Sequence, residues 1–97
     1  MVTTSKARKK AVIVRTYSAG VHFGYLVARR GKEVDLVRSR RIWSWVGANT
    51  LSEIALRGVG ERSRVAEPVT ITLTEAIEII TCAPEAVKNL EAAPWAE

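Results

Sequence analysis

The sequence is poor in the residues that build disulfides and metal sites. It contains one cysteine, Cys82, and one histidine, His22, in 97 residues. A lone cysteine cannot form an internal disulfide, which agrees with a reducing compartment, and two such ligands are too few for an ordinary structural zinc site. No apolar run approaches the roughly 18 residues of a membrane-spanning helix, and residues 1–10 are polar and basic, unlike a signal peptide. We therefore expect a cytoplasmic protein with no metal ion and no membrane partner.

Catalytic motifs are also missing. A nucleophilic site needs a serine, cysteine or threonine beside an oriented base, and nothing near His22 resembles a nucleophile elbow. His22 alternates with the apolar positions of a predicted strand, which favours a surface or sheet-face histidine, and Cys82 follows an apolar segment that is typical of a small buried hydrophobe. The glycines form neither a dinucleotide-binding nor a P-loop pattern. The sequence thus disfavours an enzyme and predicts no catalytic residue and no cofactor.

Length and charge predict one small domain with an uneven surface. The 97 residues, 47% hydrophobic and 26% charged, support a single domain over residues 11–97 behind a basic flexible tail over 1–10. Residues 1–41 hold eleven Lys and Arg against two acidic residues, a net of +9, whereas residues 42–97 hold four against eight, a net of −4. This asymmetry points to an anionic partner or to self-association, although a solvated tail and charged strand surfaces would produce the same pattern.

Alternating apolar residues predict an antiparallel sheet of about five strands. Residues 21–28 alternate with a period of two, and the glycine-containing connection over 29–32 predicts a hairpin to the next strand. The predicted strands cover residues 11–17, 21–28, 33–37, 69–74 and 75–81. Residues 40–45 could extend the third strand or begin another, and residues 59–68 show no period and predict a mobile loop.

Two helices complete the predicted fold. Thr50 and Glu53 stand at capping-box spacing and begin a short helix, which Gly58 can end in a left-handed conformation. Pro84 suits the first turn of a C-terminal helix, whose apolar stripe includes Leu90. The expected fold class is α+β: a small antiparallel sheet with one short internal helix and a C-terminal helix.

Arginine and tryptophan concentrate in one short stretch. Residues 38–45 read Arg-Ser-Arg-Arg-Ile-Trp-Ser-Trp, and Gly-Ala-Asn-Thr follows one residue later. Guanidinium groups bind phosphate oxygens and also stack, indole rings offer faces to a base, and an asparagine can read a base edge. The stretch therefore predicts a nucleotide platform. Its candidate ligand-binding residues are Arg40, Arg41, Trp43, Trp45, Asn49 and Arg57.

The same stretch has a purely structural interpretation. In a strand, Arg41, Trp43 and Trp45 would share one face, and Arg40 and Ile42 would lie on the other. Tryptophan is mostly buried in small domains, so one or both indoles could be core or interface aromatics over which the arginine stems lie. The sequence leaves this alternative open.

Three segments resemble a family of small, mostly uncharacterised proteins encoded by tailed phages and prophages. They are residues 12–21, 40–58 and 71–80, and the central motif is Arg-Ile-x-x-Trp-x-Gly entering a Leu-x-x-Ile-Ala-x-x-Gly helix. The resemblance covers most of residues 11–92 and transfers no established activity. It implies an early, non-virion accessory protein of the host cytoplasm that disarms host defences.

Together, the basic stretch and the resemblance predict a phage-encoded anti-defence protein. It would bind and sequester an anionic nucleotide second messenger as a non-catalytic sponge, with the ligand held by a homo-oligomer. One alternative is an inhibitor that binds a host defence protein directly. Another is a basic nucleic-acid-binding accessory protein that acts through its tail, with an affinity that falls steeply with salt. Many direct inhibitors imitate DNA and are acidic, so the basic charge of this chain favours a small anionic ligand.

Overall fold

An antiparallel sheet and two helices form the structure, a computed structural model that describes residues 10–94. The strands are β1 (Lys10–Thr16), β2 (Val21–Arg30), β3 (Glu33–Ser44), β4 (Arg64–Val65), β5 (Val69–Leu73) and β6 (Ala76–Thr81), and the helices are α1 (Leu51–Arg57) and α2 (Pro84–Ala92). The α+β fold with a short internal helix and a C-terminal helix is confirmed, and residues 10–94 form six strands where about five were predicted. The predicted tail over residues 1–10 lies outside the described residues except for Lys10, which begins β1.

The sheet is built on hairpins and on one long central strand. Its main order is β4-β3-β2-β1-β6, and β5 pairs with β3 beside β4. Every pairing is antiparallel. The predicted β2–β3 hairpin is present, with Arg30 opposite Glu33. Residues 40–45 do not begin a new strand; they extend β3 to Ser44, so that β3 has room to pair with β5 along its first half and with β4 near its end.

The sheet must curl because its two outer strands are consecutive in the chain. From β5 to β6 across β3, β2 and β1 there are four inter-strand spacings, which would separate the two strands by roughly 19 Å in a flat sheet. Only Thr74 and Glu75 connect β5 to β6, and a link of that length spans at most about 11 Å. Backbone hydrogen bonds from Tyr17 to Glu75 and from Ala76 to Lys32 hold this connection close to the ends of β1 and β3.

Two hydrophobic clusters occupy the two faces of the curled sheet. On the concave face, β1, β3 and β5 bury side chains without help from any helix, namely Val12, Val14, Val34, Leu36 and Leu73. On the opposite face, which we call the helix face, the sheet packs against α1 and α2. The buried residues there are Ile13, Val21, Phe23, Ile42, Ile54, Ala55, Val59, Val65, Ala86 and Leu90. Both faces of the central strands are therefore buried.

Helix α1 has the ends that the sequence predicts. The Thr50 hydroxyl accepts a hydrogen bond from the Glu53 N–H at 3.2 Å, and the Glu53 carboxylate accepts one from the N–H of Asn49 at 2.6 Å. The second bond reaches one residue further back than the usual capping box. Gly58 closes the helix with φ of 86° and donates its N–H to Ile54 at 2.8 Å.

One strand escapes the sequence pattern. Residues 59–68, predicted as an aperiodic mobile loop, contain β4, and both Val59 and Val65 are buried. Val59 and Val65 contact the helix face separately. The residues between them show no alternation, so the sequence gives no period that would predict a strand. Pairing of Val65 with Ile42 holds β4 against the end of β3.

Candidate functional site

A bulge in β3 decides which way the predicted site residues point. Register shifts occur between Leu36 and Ser39 in the pairing with β5, and Arg38 has φ of 51°, the one positive value among the non-glycine residues of 10–94. Before the bulge, Leu36 belongs to the concave cluster; after it, Ile42 belongs to the helix face. The bulge thus shifts the alternation by one residue, which sends Arg40 toward the helix face and Arg41 away from it.

Arg40 is part of the interior. Its side chain is 3% exposed, and its guanidinium donates to the carbonyl of Ala66 at 2.7 Å and to that of Leu90 at 2.8 Å. Burial lowers the pKa of the group, and its Nη2 has no hydrogen-bond partner within the described structure. Contact of Arg40 with a ligand phosphate stays a prediction, but in this fold its guanidinium bonds the Ala66 carbonyl and last-turn carbonyls of α2.

Arg41 and Trp43 lie on other surfaces. Arg41 is exposed beside His22 and forms no ion pair with any residue from 10 to 94. Trp43 is 46% exposed, and the Arg64 guanidinium lies 5.1 Å from the centre of its ring, within range of a cation–π interaction. Trp43 is therefore an exposed aromatic, not a core residue.

Trp45 does not share a face with Arg41 and Trp43, contrary to the alternation. It follows the last residue of β3, where the pairing with β4 is irregular between Ile42 and Ser44. Because Trp45 lies beyond the end of the strand, the strand's alternation does not fix its side chain. The indole faces the helices and is half-buried against the core cluster on the helix face. The structural interpretation thus holds in part for this one of the two tryptophans.

Trp45 and Asn49 line one open cleft, which we call the Trp45 cleft. Its volume is about 500 Å³, and its lining residues are Arg15, Val21, Trp45, Asn49, Thr50, Leu51, Ser52 and Glu78. It lies where the end of β1 meets the start of α1. Arg15 forms an exposed ion pair with Glu78 on the neighbouring strand at 3.5 Å. The cleft therefore combines an indole, an amide, two hydroxyls, one guanidinium and one carboxylate.

Arg57 stays outside this cleft. It is exposed on the last turn of α1 and pairs with Glu53 at 3.8 Å. Since the same Glu53 carboxylate accepts from the Asn49 N–H, the arginine supports the start of α1 and is not among the cleft-lining residues.

Arg15 is the cleft residue that sequence reasoning missed. It continues the alternation of Ala11 and Ile13, which face the helices, so the pattern alone could have placed it on that face at the end of β1. What the pattern could not show is that β1 pairs with β6, because this pairing joins distant parts of the chain. The pairing brings Glu78 beside Arg15 and forms one wall of the cleft.

Cys82 and His22, the cysteine and histidine of the chain, are both withdrawn from solvent, Cys82 in part and His22 almost completely. Cys82 packs half-buried against the core, as expected for a small hydrophobe, and burial raises the pKa of its thiol to about 11, so the nucleophilic thiolate is scarce. His22 was predicted as a surface or sheet-face histidine; it lies on a sheet face and is buried there, with 1% of the residue exposed. Burial, followed by the charge of Arg41, lowers the pKa of His22.

The fold and the cleft together define a class: a small α+β domain with a curled antiparallel sheet, helices on one face and an open polar cleft at the start of the first helix. Among residues 10–94, no helix is long and apolar enough to cross a membrane. The chain belongs to the family described as a domain of unknown function, DUF6948, whose profile matches residues 9–90. The match spans every residue that lines the Trp45 cleft. No curated protein and no solved structure matches the chain.

Proposed function

We propose that this protein binds an anionic nucleotide in the Trp45 cleft without transforming it. The observation that carries the proposal is the convergence of Trp45 and Asn49, from the connection between β3 and α1, with Arg15 of β1 around one cavity of about 500 Å³. That volume lies within the range of small-molecule sites, about 300–1,000 Å³. Each group has a part in nucleotide recognition: the indole stacks on a base, the amide bonds a base edge, and the guanidinium contacts a phosphate.

The charge of the cleft limits the ligand that one subunit can hold. Arg15 is the sole cationic residue in its lining, and Glu78 lies 3.5 Å from it. A phosphate must therefore compete with a carboxylate for the same guanidinium, which favours few phosphates over many. We infer that a second copy of the chain supplies further cations, so the homo-oligomer expected from the sequence completes the site. Large apolar side chains such as Trp43 and Val46, each 46% exposed, are available for that contact.

Calorimetry with a panel of nucleotides tests the proposal. The panel comprises adenosine and guanosine monophosphates, cyclic dinucleotides, cyclic trinucleotides and cyclic ADP-ribose isomers, each titrated into the intact chain. We expect saturable heat with at least one of them. Arg15→Gln should weaken that binding by about 1.5–3 kcal/mol, the scale of a charge-assisted hydrogen bond, and Trp45→Leu by about 1–3 kcal/mol, the scale of stacking on a base.

Arg62→Gln is the matched control, because Arg62 is an exposed cation outside the cleft lining. Absence of heat with every nucleotide would overturn the proposal. Equal weakening by Arg15→Gln and Arg62→Gln would also overturn it, since binding would then follow net charge instead of the cleft. Light scattering with and without the nucleotide reports whether a second copy joins the site.

The wider role we propose is sequestration of a signalling nucleotide in the host cytoplasm by a phage-encoded protein. The support is the resemblance to small phage proteins together with the Trp45 cleft as the proposed ligand site. A direct inhibitor of a host defence protein remains the competing proposal, favoured by the exposed Trp43 and Val46. Affinity purification from infected cells separates the two, because stoichiometric capture of a defence protein by the Trp45→Leu variant would favour inhibition.

A further inference from the structure

A second cavity lies on the concave side of the sheet, away from the Trp45 cleft. We call it the Ser39 pocket; its volume is about 290 Å³, and the lining residues that matter are His22, Ser39, Arg41, Glu67, Val69 and Ile71. These residues come from β2, β3, β5 and the segment before β5. No residue is shared with the Trp45 cleft, so the two cavities can be tested separately.

Ser39 gives the pocket a buried polar group that needs a partner. The residue is 1% exposed, and its hydroxyl has no hydrogen-bond partner within the described structure. Leaving a hydroxyl buried and unbonded costs about 1–3 kcal/mol. Gly24 of β2 allows the backbone of β3 to approach closely at Ser39, because a Cβ at position 24 would lie 3.1 Å from the Ser39 Cα. Ser39 thus lies in the pocket wall with a hydroxyl whose donor and acceptor are both unused within the described structure.

The His22 ring is fixed and uncharged at the base of the same pocket. Its Nε2 lies 3.0 Å from the carbonyl oxygen of Ala19. A carbonyl oxygen only accepts, so Nε2 carries the hydrogen and Nδ1 is the bare acceptor of the neutral ring. Burial and the neighbouring Arg41 lower the pKa of the imidazole, so the ring adds no positive charge for a ligand.

The charged and apolar walls specify the shape of a ligand. Within residues 10–94, neither Arg41 nor Glu67 forms an ion pair. Arg41 therefore offers a guanidinium fork to an anion at one end, while Glu67 disfavours a second negative charge nearby. Val69 and Ile71 supply an apolar wall, and Val69 is 50% exposed, so ligand burial would cover hydrophobic surface.

We propose that the Ser39 pocket binds a small organic monocarboxylate with a short apolar body. The carboxylate accepts hydrogen bonds from the Arg41 guanidinium and the Ser39 hydroxyl, and the apolar body packs on Val69 and Ile71. A volume of about 290 Å³, at the lower end of the usual range of about 300–1,000 Å³ for ligand sites, favours a ligand smaller than a nucleotide, and the Arg41 guanidinium beside Glu67 disfavours phosphate.

Nuclear magnetic resonance of the single histidine tests the proposal. Because His22 is the one histidine in the sequence, every imidazole nitrogen signal in the spectrum belongs to it. The 15N-labelled chain is titrated with isovalerate, with the neutral isostere isovaleramide, and with inorganic phosphate. We expect the His22 ring signals to shift and saturate with isovalerate alone. Arg41→Gln should weaken that binding by at least about tenfold, and Ser39→Ala by a smaller factor.

Two further variants keep the test specific. Arg62→Gln matches Arg41→Gln in charge and lies outside the pocket lining, so it should leave the isovalerate titration unchanged. Arg15→Gln, which tests the Trp45 cleft, should also leave it unchanged. Equal shifts with isovalerate and isovaleramide, no saturation with isovalerate, or equal effects of Arg41→Gln and Arg62→Gln would each overturn the proposal, leaving a pocket filled by water.

Discussion

At the scale of single residues, neighbouring arginines of the same strand have opposite environments. Arg40 donates to backbone carbonyls in the interior, whereas Arg41 is exposed beside His22. Composition and spacing treat the two alike, and a simple alternation leaves open which one faces the core. The bulge at Arg38 decides the matter, because it shifts the register of β3 by one residue.

Alanine at these two positions should therefore act very differently on stability. Arg40→Ala removes the donors to Ala66 and Leu90 and leaves buried carbonyls unbonded, so we expect a loss of about 1–3 kcal/mol in the free energy of unfolding. Arg41→Ala removes an exposed side chain without an ion pair among the described residues and should change stability by less than about 0.5 kcal/mol. Urea denaturation measures both. Similar losses for the two variants would show that Arg40 is not a structural anchor.

His22 predicts a pH dependence of stability. Its pKa in the folded protein lies below the ordinary 6.5, mainly because of burial, while the Ala19 carbonyl opposes the shift and Arg41 adds to it; Glu67 is the other charged group lining the pocket. At pH values between the pKa of His22 in the folded protein and 6.5, the unfolded chain binds the His22 proton more tightly than the folded protein does. Stability from this residue is thus complete above pH 6.5 and falls as pH is lowered toward 5.

Urea midpoints at pH 7 and pH 5 give the measurement, and His22→Gln is the comparison. The variant should show a smaller drop between the two pH values than the parent chain. Hydrogen bonds from Thr72 and Arg30 lower the pKa of Asp35, so its effect on the pH dependence of stability appears only in more acidic solution. If parent and variant lose the same stability between pH 7 and 5, the buried neutral imidazole is not the cause.

At the scale of elements, helix α2 is attached to the sheet by specific polar contacts as well as by its apolar stripe. The Leu90 carbonyl accepts from Arg40. The Glu91 carboxylate accepts from the Tyr25 hydroxyl and from Arg38, whose guanidinium also lies 5.2 Å from the centre of the Tyr25 ring. Burial and the bond to Glu91 raise the pKa of Tyr25 to about 12, so the phenol keeps its proton as the donor. Each contact fixes α2 against β2 and β3.

Asn89 joins α2 to the end of α1, and this junction predicts coupled mutations. Its side chain accepts from the Val59 N–H at 2.8 Å and donates to the Val59 carbonyl at 2.9 Å. A Cβ on Gly58 would lie 2.2 Å from the Asn89 oxygen, and φ there is 86°. Asn89→Ala should cost about 1–3 kcal/mol by leaving the Val59 groups unbonded, and Gly58→Ala should cost about 1–2 kcal/mol or more from its backbone conformation.

The double variant distinguishes the collision from the backbone strain. Asn89→Ala removes the side-chain oxygen and Cγ, which would lie 2.2 Å and 2.4 Å from a Cβ at position 58, although the Cβ of residue 89 at 2.6 Å remains. The two losses should therefore sum to more than the loss in the double variant. Thermal or urea unfolding of the four proteins measures the cycle. Strict additivity would mean that the Asn89 amide group contributes nothing to the cost of Gly58→Ala.

Periodic elements could be predicted from the sequence, whereas the local exceptions could not. The alternation in residues 21–28, the Thr50 cap and the Gly58 end of α1 depend on neighbours in the chain, and the structure confirms them. Strand β4 and the bulge at Arg38 depend on partners far away in sequence. For the same reason, the pattern predicted Trp45 and Asn49 as neighbours but could not supply Arg15, which a distant pairing with β6 brings to the cleft wall.

At the scale of the whole molecule, curling of the sheet produces both cavities. On the concave side it covers His22 and Ser39 while leaving Arg41 exposed at the edge of a pocket. On the helix face it brings the end of β1 and the start of α1 together around the Trp45 cleft. The two proposed ligands would thus lie on opposite faces of the sheet, and within β3 the Arg38 bulge decides which residues point to each face.

Strand β1 has one neighbour, β2, that follows it directly and another, β6, that lies near the opposite end of the described chain. Bringing β6 into place costs the entropy of closing a long loop before any contact energy is returned. Pairings between distant parts of a chain form more slowly than hairpins or helices. We therefore expect the hairpin of β1 and β2 to form first, with the outer edge of β1 unpaired until β6 reaches it.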